Sequence, residues 1–158
     1  KYAIGPRKEL AIRTILNLLG PITNPAGIKN QLLGVYSKDL VRPIAEVLKG
    51  LGSDHVLVVH SADGLDEISV ADQTYVAELY EGEIREYSVT PEQFGIRRSD
   101  LNSLNAADST ESSSVVSSVL SGEKSVAFDI LALIAGAALY AANVSARLEQ
   151  CVTTAHDV

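Results

Sequence analysis

The sequence predicts an α/β fold, a mostly parallel sheet flanked by helices, and three observations lead there. Val56 to Val59 form an unbroken β-branched and apolar run, the pattern of a strand covered on both faces. Apolar residues recur at helical spacing on either side of it. At 158 residues and 46% apolar content, the chain is long enough to close one ordinary core.

Taken in order, Arg7 to Leu19 places Leu10, Ile12, Ile15, Leu16 and Leu19 on a helical stripe. Gly20-Pro21 is expected to end it, because proline cannot continue the hydrogen-bond ladder. Asn24-Pro25 and Gly27 then fix a stiff turn, suited either to a pocket wall or to a tight connection. Gln31 to Tyr36 reads as a short strand, and Leu40 to Leu51 as a helix closed by Gly52. After the buried strand comes the loop HSADGLDEIS, from His60 to Ser69, in the place where open α/β sheets bind ligands. Thr74–Tyr80 and Glu83–Val89 flank Glu81-Gly82 and predict a β-hairpin. Pro91 to Gly95 is a turn or helical start. Ser99 to Ser118 is the loosest stretch, rich in Ser, Asn and Asp, and leads into a helix near Ser112 to Leu120. Ser125 to Asn143 is a tightly packed apolar helix, and Ala146 to Ala155 a final amphipathic one.

Charge and cysteine usage narrow the partners. Asp and Glu number 20 against 13 Lys and Arg, a net charge of −7, which argues against a phosphate-backbone binder. Cys151 is the sole cysteine, so no intrachain disulfide framework exists and a reducing, cytoplasmic setting is expected. No apolar run reaches the roughly 18 residues of a membrane span, and the opening KYAIGPRKEL lacks the apolar core of a signal peptide. The chain contains no Met and begins mid-pattern at Lys1, as a processed or trimmed polypeptide would.

The chemistry concentrates in the acidic loop. Asp63, Asp66 and Glu67 follow the buried strand, with Gly64 allowing a sharp turn, so three carboxylates can stand at the carboxyl edge of the sheet. Hard oxygen donors of this kind suit Mg²⁺, which takes one or two carboxylates plus waters and substrate phosphates. A solvated surface cluster is the plainer alternative. His60 next to the loop reads as a strand-end histidine bonded to backbone. His55, His60 and His156 lack zinc-ligand spacing.

These residues together carry a resemblance. GPRKELAIRTILNLLGPITNPAG, then QLLGVY, VLVVHSADGLDEIS and VAELYEGEIREYSVTPEQFGI, followed by a small-residue helix, resemble the C-terminal half of the anthranilate phosphoribosyltransferases. The likeness runs in order over nearly the whole chain. It implies transfer of a phosphoribosyl group from phosphoribosyl pyrophosphate to the amino nitrogen of anthranilate, the second step of tryptophan biosynthesis, with Mg²⁺ as cofactor. It further implies a cytoplasmic homodimer formed through an N-terminal helical domain, with no nucleic-acid or membrane partner. Residues 1–26 would be the helix and turn bordering that domain and the anthranilate site, and residues 27–158 the C-terminal α/β domain. By position, Arg7 matches the family's arginine for the anthranilate carboxylate, Gly20 and Pro21 the turn lining the anthranilate path, and Asp66 and Glu67 the Mg²⁺-holding pair. No residue is assigned as a covalent or proton-transferring catalyst. The family's glycine-rich pyrophosphate loop has no counterpart in this sequence. Glu111-Ser112-Ser113 and Leu133-Ile134-Ala135 stand where Glu-Asn-Ala and Leu-Asn-Ala are common. A nucleoside-phosphorylase-like enzyme, or a non-catalytic nucleic-acid-binding paralogue of the same fold, is the alternative.

Overall fold

The structure is a computed structural model that describes residues 19–20, 22–23, 25–104 and 108–157. The helix expected over Arg7–Leu19 lies almost entirely outside the described residues. At its end, Leu19, Gly20 and Ile22 are helical and the Thr23 N–H bonds the Leu19 carbonyl at 2.8 Å; Pro21, the second half of the expected Gly20-Pro21 stop, lies outside the described residues.

Among the described residues, four strands form one sheet in the order β1-β2-β3-β4: β1 (Asn30–Gly34), β2 (His55–Ser61), β3 (Thr74–Tyr80) and β4 (Glu83–Val89). The α/β class and the flanking helices are as expected, but the sheet is mixed. β1 and β2 are parallel, with Leu32 opposite Leu57 and Gly34 opposite Val59, whereas β2–β3 and β3–β4 are antiparallel. The reason is the connection. A parallel return needs a crossover, usually a helix; α1 (Val41–Gly50) provides one between β1 and β2, but residues 62–73 contain no helix and bring β3 straight back beside β2.

β2 is buried on both faces, and its alternation sorts the core into two layers. Val56 and Val58 point to α1, packing with Val41, Ile44, Ala45 and Leu48. Leu57 and Val59 point the other way, to Leu133, Ala137 and Ala141 of α3 (Val126–Ala141) and Val152 of α4 (Leu148–His156). A smaller cluster, Val119, Phe128 and Ala132, joins α2 (Ser109–Leu120) to α3. The β3–β4 turn has the two positive φ angles of a tight hairpin, 51° at Glu81 and 78° at Gly82.

The amino end of β2 carries a deeply buried polar group. His55, 2% exposed, lies with Nδ1 2.7 Å from Asn143 Oδ1 and Nε2 3.1 Å from Glu78 Oε1. It ties β2 to β3 and to the end of α3. Cys151 is 1% exposed within the core.

Candidate functional site

β1 and β2 end side by side, and residues 62–73 start from that shared carboxyl edge. The local sequence explains the loop's course. Polar DGLDE stays outside while Ile68 and Val70, 4% and 0% exposed, plunge into the core under α3, so the loop is pinned by its own second half. Gly64 at φ 96° makes the turn, and Ser61 N–H closes it on the Leu65 carbonyl at 2.9 Å.

All three carboxylates are exposed, but only two of them face the same cavity. Asp66 and Glu67 are both exposed and line a cavity of about 160 Å³ with Leu32, Gly34, Val59, Ile68 and Ile134. Asp63 is turned into the loop instead. Its Oδ1 accepts from Leu65 N–H at 3.0 Å, and its Oδ2 accepts from the Ser69 hydroxyl. Partial burial raises Asp63's proton affinity, but the bonds from Ser69 and Leu65 outweigh it and hold the carboxyl below the ordinary range. Glu67 moves the other way: desolvation first, and then the charge of Asp66, push its proton affinity up.

A cation between Asp66 and Glu67 would relieve that repulsion. Among the described residues no group of three or more His, Cys, Asp or Glu is placed to hold a metal ion. A carboxylate pair open to water and substrate oxygens fits Mg²⁺.

The other expected site residues fall elsewhere. Arg7 and Pro21 lie outside the described residues. Gly20 is exposed, and nothing approaches the position a side chain would take there. Its neighbours Ile22 and Thr23 line a separate cavity of about 340 Å³ with Lys29, Gln31, Leu48 and Leu51, at the amino end of β1. His60 is the strand-end histidine the sequence indicated, its Nδ1 2.8 Å from the Val35 carbonyl.

Gly34 is the residue that sequence reasoning missed. A Cβ added there would overlap the Asp66 carbonyl oxygen and lie 2.7 Å from its carbon, so only glycine lets the acidic loop rest on the end of β1. An isolated glycine inside a strand pattern is the signal that could have found it.

The whole chain, residues 1–158, matches the family model described as glycosyl transferase family, a/b domain. It is 56% identical over 160 residues to an anthranilate phosphoribosyltransferase from Marinomonas sp. (strain MWYL1), covering 100% of this chain and 46% of that protein. The crystal structure of anthranilate phosphoribosyltransferase from Thermus thermophilus matches with a TM-score of 0.86 at 39% identity, over 98% of this chain and 46% of that one. At 24% identity the fold is shared with the enzyme from Saccharomyces cerevisiae in complex with PRPP and Mg, TM-score 0.84, over 98% of this chain and 45% of that one. The chain thus spans about half the length of the curated relatives it matches.

Proposed function

The chain belongs to the glycosyl transferase family, as its α/β domain, and on that premise we propose that it is the C-terminal part of an anthranilate phosphoribosyltransferase. The reaction joins the anomeric carbon of phosphoribosyl pyrophosphate to the amino nitrogen of anthranilate and releases diphosphate. The observation that carries this reading is the convergence of Asp66 and Glu67 at the carboxyl edge of the parallel β1–β2 pair, above Gly34. Support comes from the names of the relatives and from the Mg and PRPP held by the yeast enzyme.

Departure of diphosphate leaves positive charge at the anomeric carbon and concentrates negative charge on the leaving group. Asp66 and Glu67 would hold Mg²⁺, which supplies charge neutralisation of the departing diphosphate when bound. Arg7 would clamp the anthranilate carboxylate with its planar fork, aiming the amine at the anomeric carbon. Gly20 and Pro21 would border the path by which anthranilate enters. His60 is spent on the Val35 carbonyl and plays a structural part. The division at residue 26, an association into homodimers through the helical domain, and a cytoplasmic setting belong to the same proposal. Among the described residues no helix is long and apolar enough to cross a membrane. A net charge of −7 runs against the nucleic-acid-binding alternative, and no observation favours a nucleoside phosphorylase.

The test is the double variant Asp66→Asn/Glu67→Gln in the whole enzyme. Turnover is expected to fall by about 100-fold or more, the scale on which losing a preorganised charge-stabilising group slows catalysis. Folding should be unaffected, since exposed loop carboxylates contribute little to stability. Unchanged turnover with an unchanged Mg²⁺ titration would remove the assignment.

A further inference from the structure

We infer that Asp63 is a positioning residue for the Asp66–Glu67 pair, acting with Ser69 as a staple across the loop while Gly34 supports it from beneath. The inference rests on the metal-binding role proposed for that pair.

Residue type alone makes Asp63 an equal candidate for the metal, but geometry assigns it another task. Both of its oxygens accept hydrogen bonds inside the loop, one from Leu65 N–H and one from the Ser69 hydroxyl. Ser69 is itself held on three sides. Its hydroxyl oxygen accepts from Ala71 N–H at 2.9 Å, its own N–H donates to Thr74 Oγ1 at 3.1 Å, and its hydroxyl proton goes to Asp63. Ser69 and Thr74 are 1% and 0% exposed, so the chain of bonds that starts at Asp63 is buried from Ser69 to the first residue of β3.

The backbone between the two ends of the staple is fixed as well. The Leu65 carbonyl is held by Ser61 N–H, and the Asp66 carbonyl sits against Gly34 with no room for a methyl group. Among the described residues the carboxylates of Asp66 and Glu67 make no hydrogen bond or ion pair of their own. Their placement therefore comes from the frame, and their oxygens stay available. Partners that orient metal ligands from outside typically account for about 10- to 100-fold in metal affinity, and a frame that fixes the ligand backbone acts in the same way.

The experiment measures Mn²⁺ binding to the whole enzyme by electron paramagnetic resonance of the free ion, with hydrogen exchange of residues 62–73 followed by mass spectrometry. Asp63→Ala and Ser69→Ala should each weaken Mn²⁺ binding by about tenfold or more and speed exchange in 62–73 while β2 keeps its protection. The double variant should be no worse than the poorer single one, because the two side chains act through one bond. Asp63→Asn, which keeps an acceptor for Leu65 N–H, should recover part of the loss, and Asp72→Asn, at a carboxylate paired with Arg98 outside the staple, should change nothing. Gly34→Ala should weaken Mn²⁺ as the staple variants do; the Asp63 and Ser69 arms decide the matter should it not fold. If Asp63→Ala abolishes binding while Ser69→Ala leaves it intact, Asp63 is a ligand and the inference is overturned. Binding lost in Asp66→Asn/Glu67→Gln but indifferent to both staple variants overturns it too. Binding indifferent to Asp66→Asn/Glu67→Gln defeats instead the metal reading on which it stands.

Discussion

Asp63 and Asp66 are one residue type three positions apart and both are exposed, yet Asp63 is bonded to hydroxyl and amide donors of its own loop and Asp66 is not. The difference has a consequence for stability. Asp63 titrates below its ordinary value in the folded chain, so on acidification the unfolded chain takes up its proton first. Its contribution is complete above the unfolded carboxylate value and disappears as pH falls through the lower folded value. The stability lost in Asp63→Asn should therefore be about 1 kcal/mol near neutrality, the low end for a charge-assisted pair at a solvent border, and should shrink toward acid pH. Urea denaturation of both proteins across a pH series reads this, and a gap that widens on acidification would contradict it. The residue types of this loop were legible from the chain, as was the bonding of His60 to backbone. Which carboxylate is bonded within the loop was not. That depends on Ser69, six residues away, being buried by Ile68 and Val70 beneath α3, a tertiary fact with no local signature.

The elements show the same division between local and non-local causes. The hairpin was readable to the residue, since Glu81-Gly82 supplies the two positive φ angles its turn requires. The apolar helix expected over Ser125–Asn143 is α3, opened by Ser125, whose hydroxyl accepts from Phe128 N–H at 3.2 Å. α2 begins at Ser109, ahead of the Ser112 expected, because Asp108 caps the N–H groups of Thr110 and Glu111. The antiparallel return of β3 escaped notice because an apolar strand reads alike in either direction. α3 depends on one position above others. A Cβ on Gly136 would lie 2.5 Å from Val152 Cα and 2.7 Å from its backbone nitrogen, so the helix pair α3–α4 is packed backbone to backbone there. Val152 cannot yield by a rotamer change. Gly136→Ala should cost about 1–3 kcal/mol through overpacking, more than the gain from replacing glycine in a helix. Thermal unfolding measures it, and an unchanged or raised melting temperature would show that the helices separate freely.

At the scale of the whole molecule, the question is how much of an active site 158 residues hold. The described part contains the acidic pair and its frame, in a chain about half as long as its relatives. The resemblance places the phosphate-binding glycine loop of the family outside the residues of this sequence, and a departing polyanion needs such donors as well as a metal. Large apolar side chains on the helical side also face solvent: Val116, Leu120 and Leu131 are 54%, 76% and 43% exposed, and Ala135 and Leu139 border an apolar hollow on α3. A chain carrying such a surface tends to associate when nothing covers it. The polypeptide Lys1–Val158 taken by itself is therefore expected to show no phosphoribosyl transfer and to be poorly soluble or oligomeric. Joined to, or mixed with, the amino-terminal half of a close relative, it should gain activity together with solubility. Loss of anthranilate fluorescence in the presence of phosphoribosyl pyrophosphate and Mg²⁺ reads the first property, and size-exclusion chromatography the second. Robust turnover by the 158 residues alone, their mass verified, would mean that the phosphate-binding groups lie within this sequence, and the search for them would then start from the cavity at the amino end of β1.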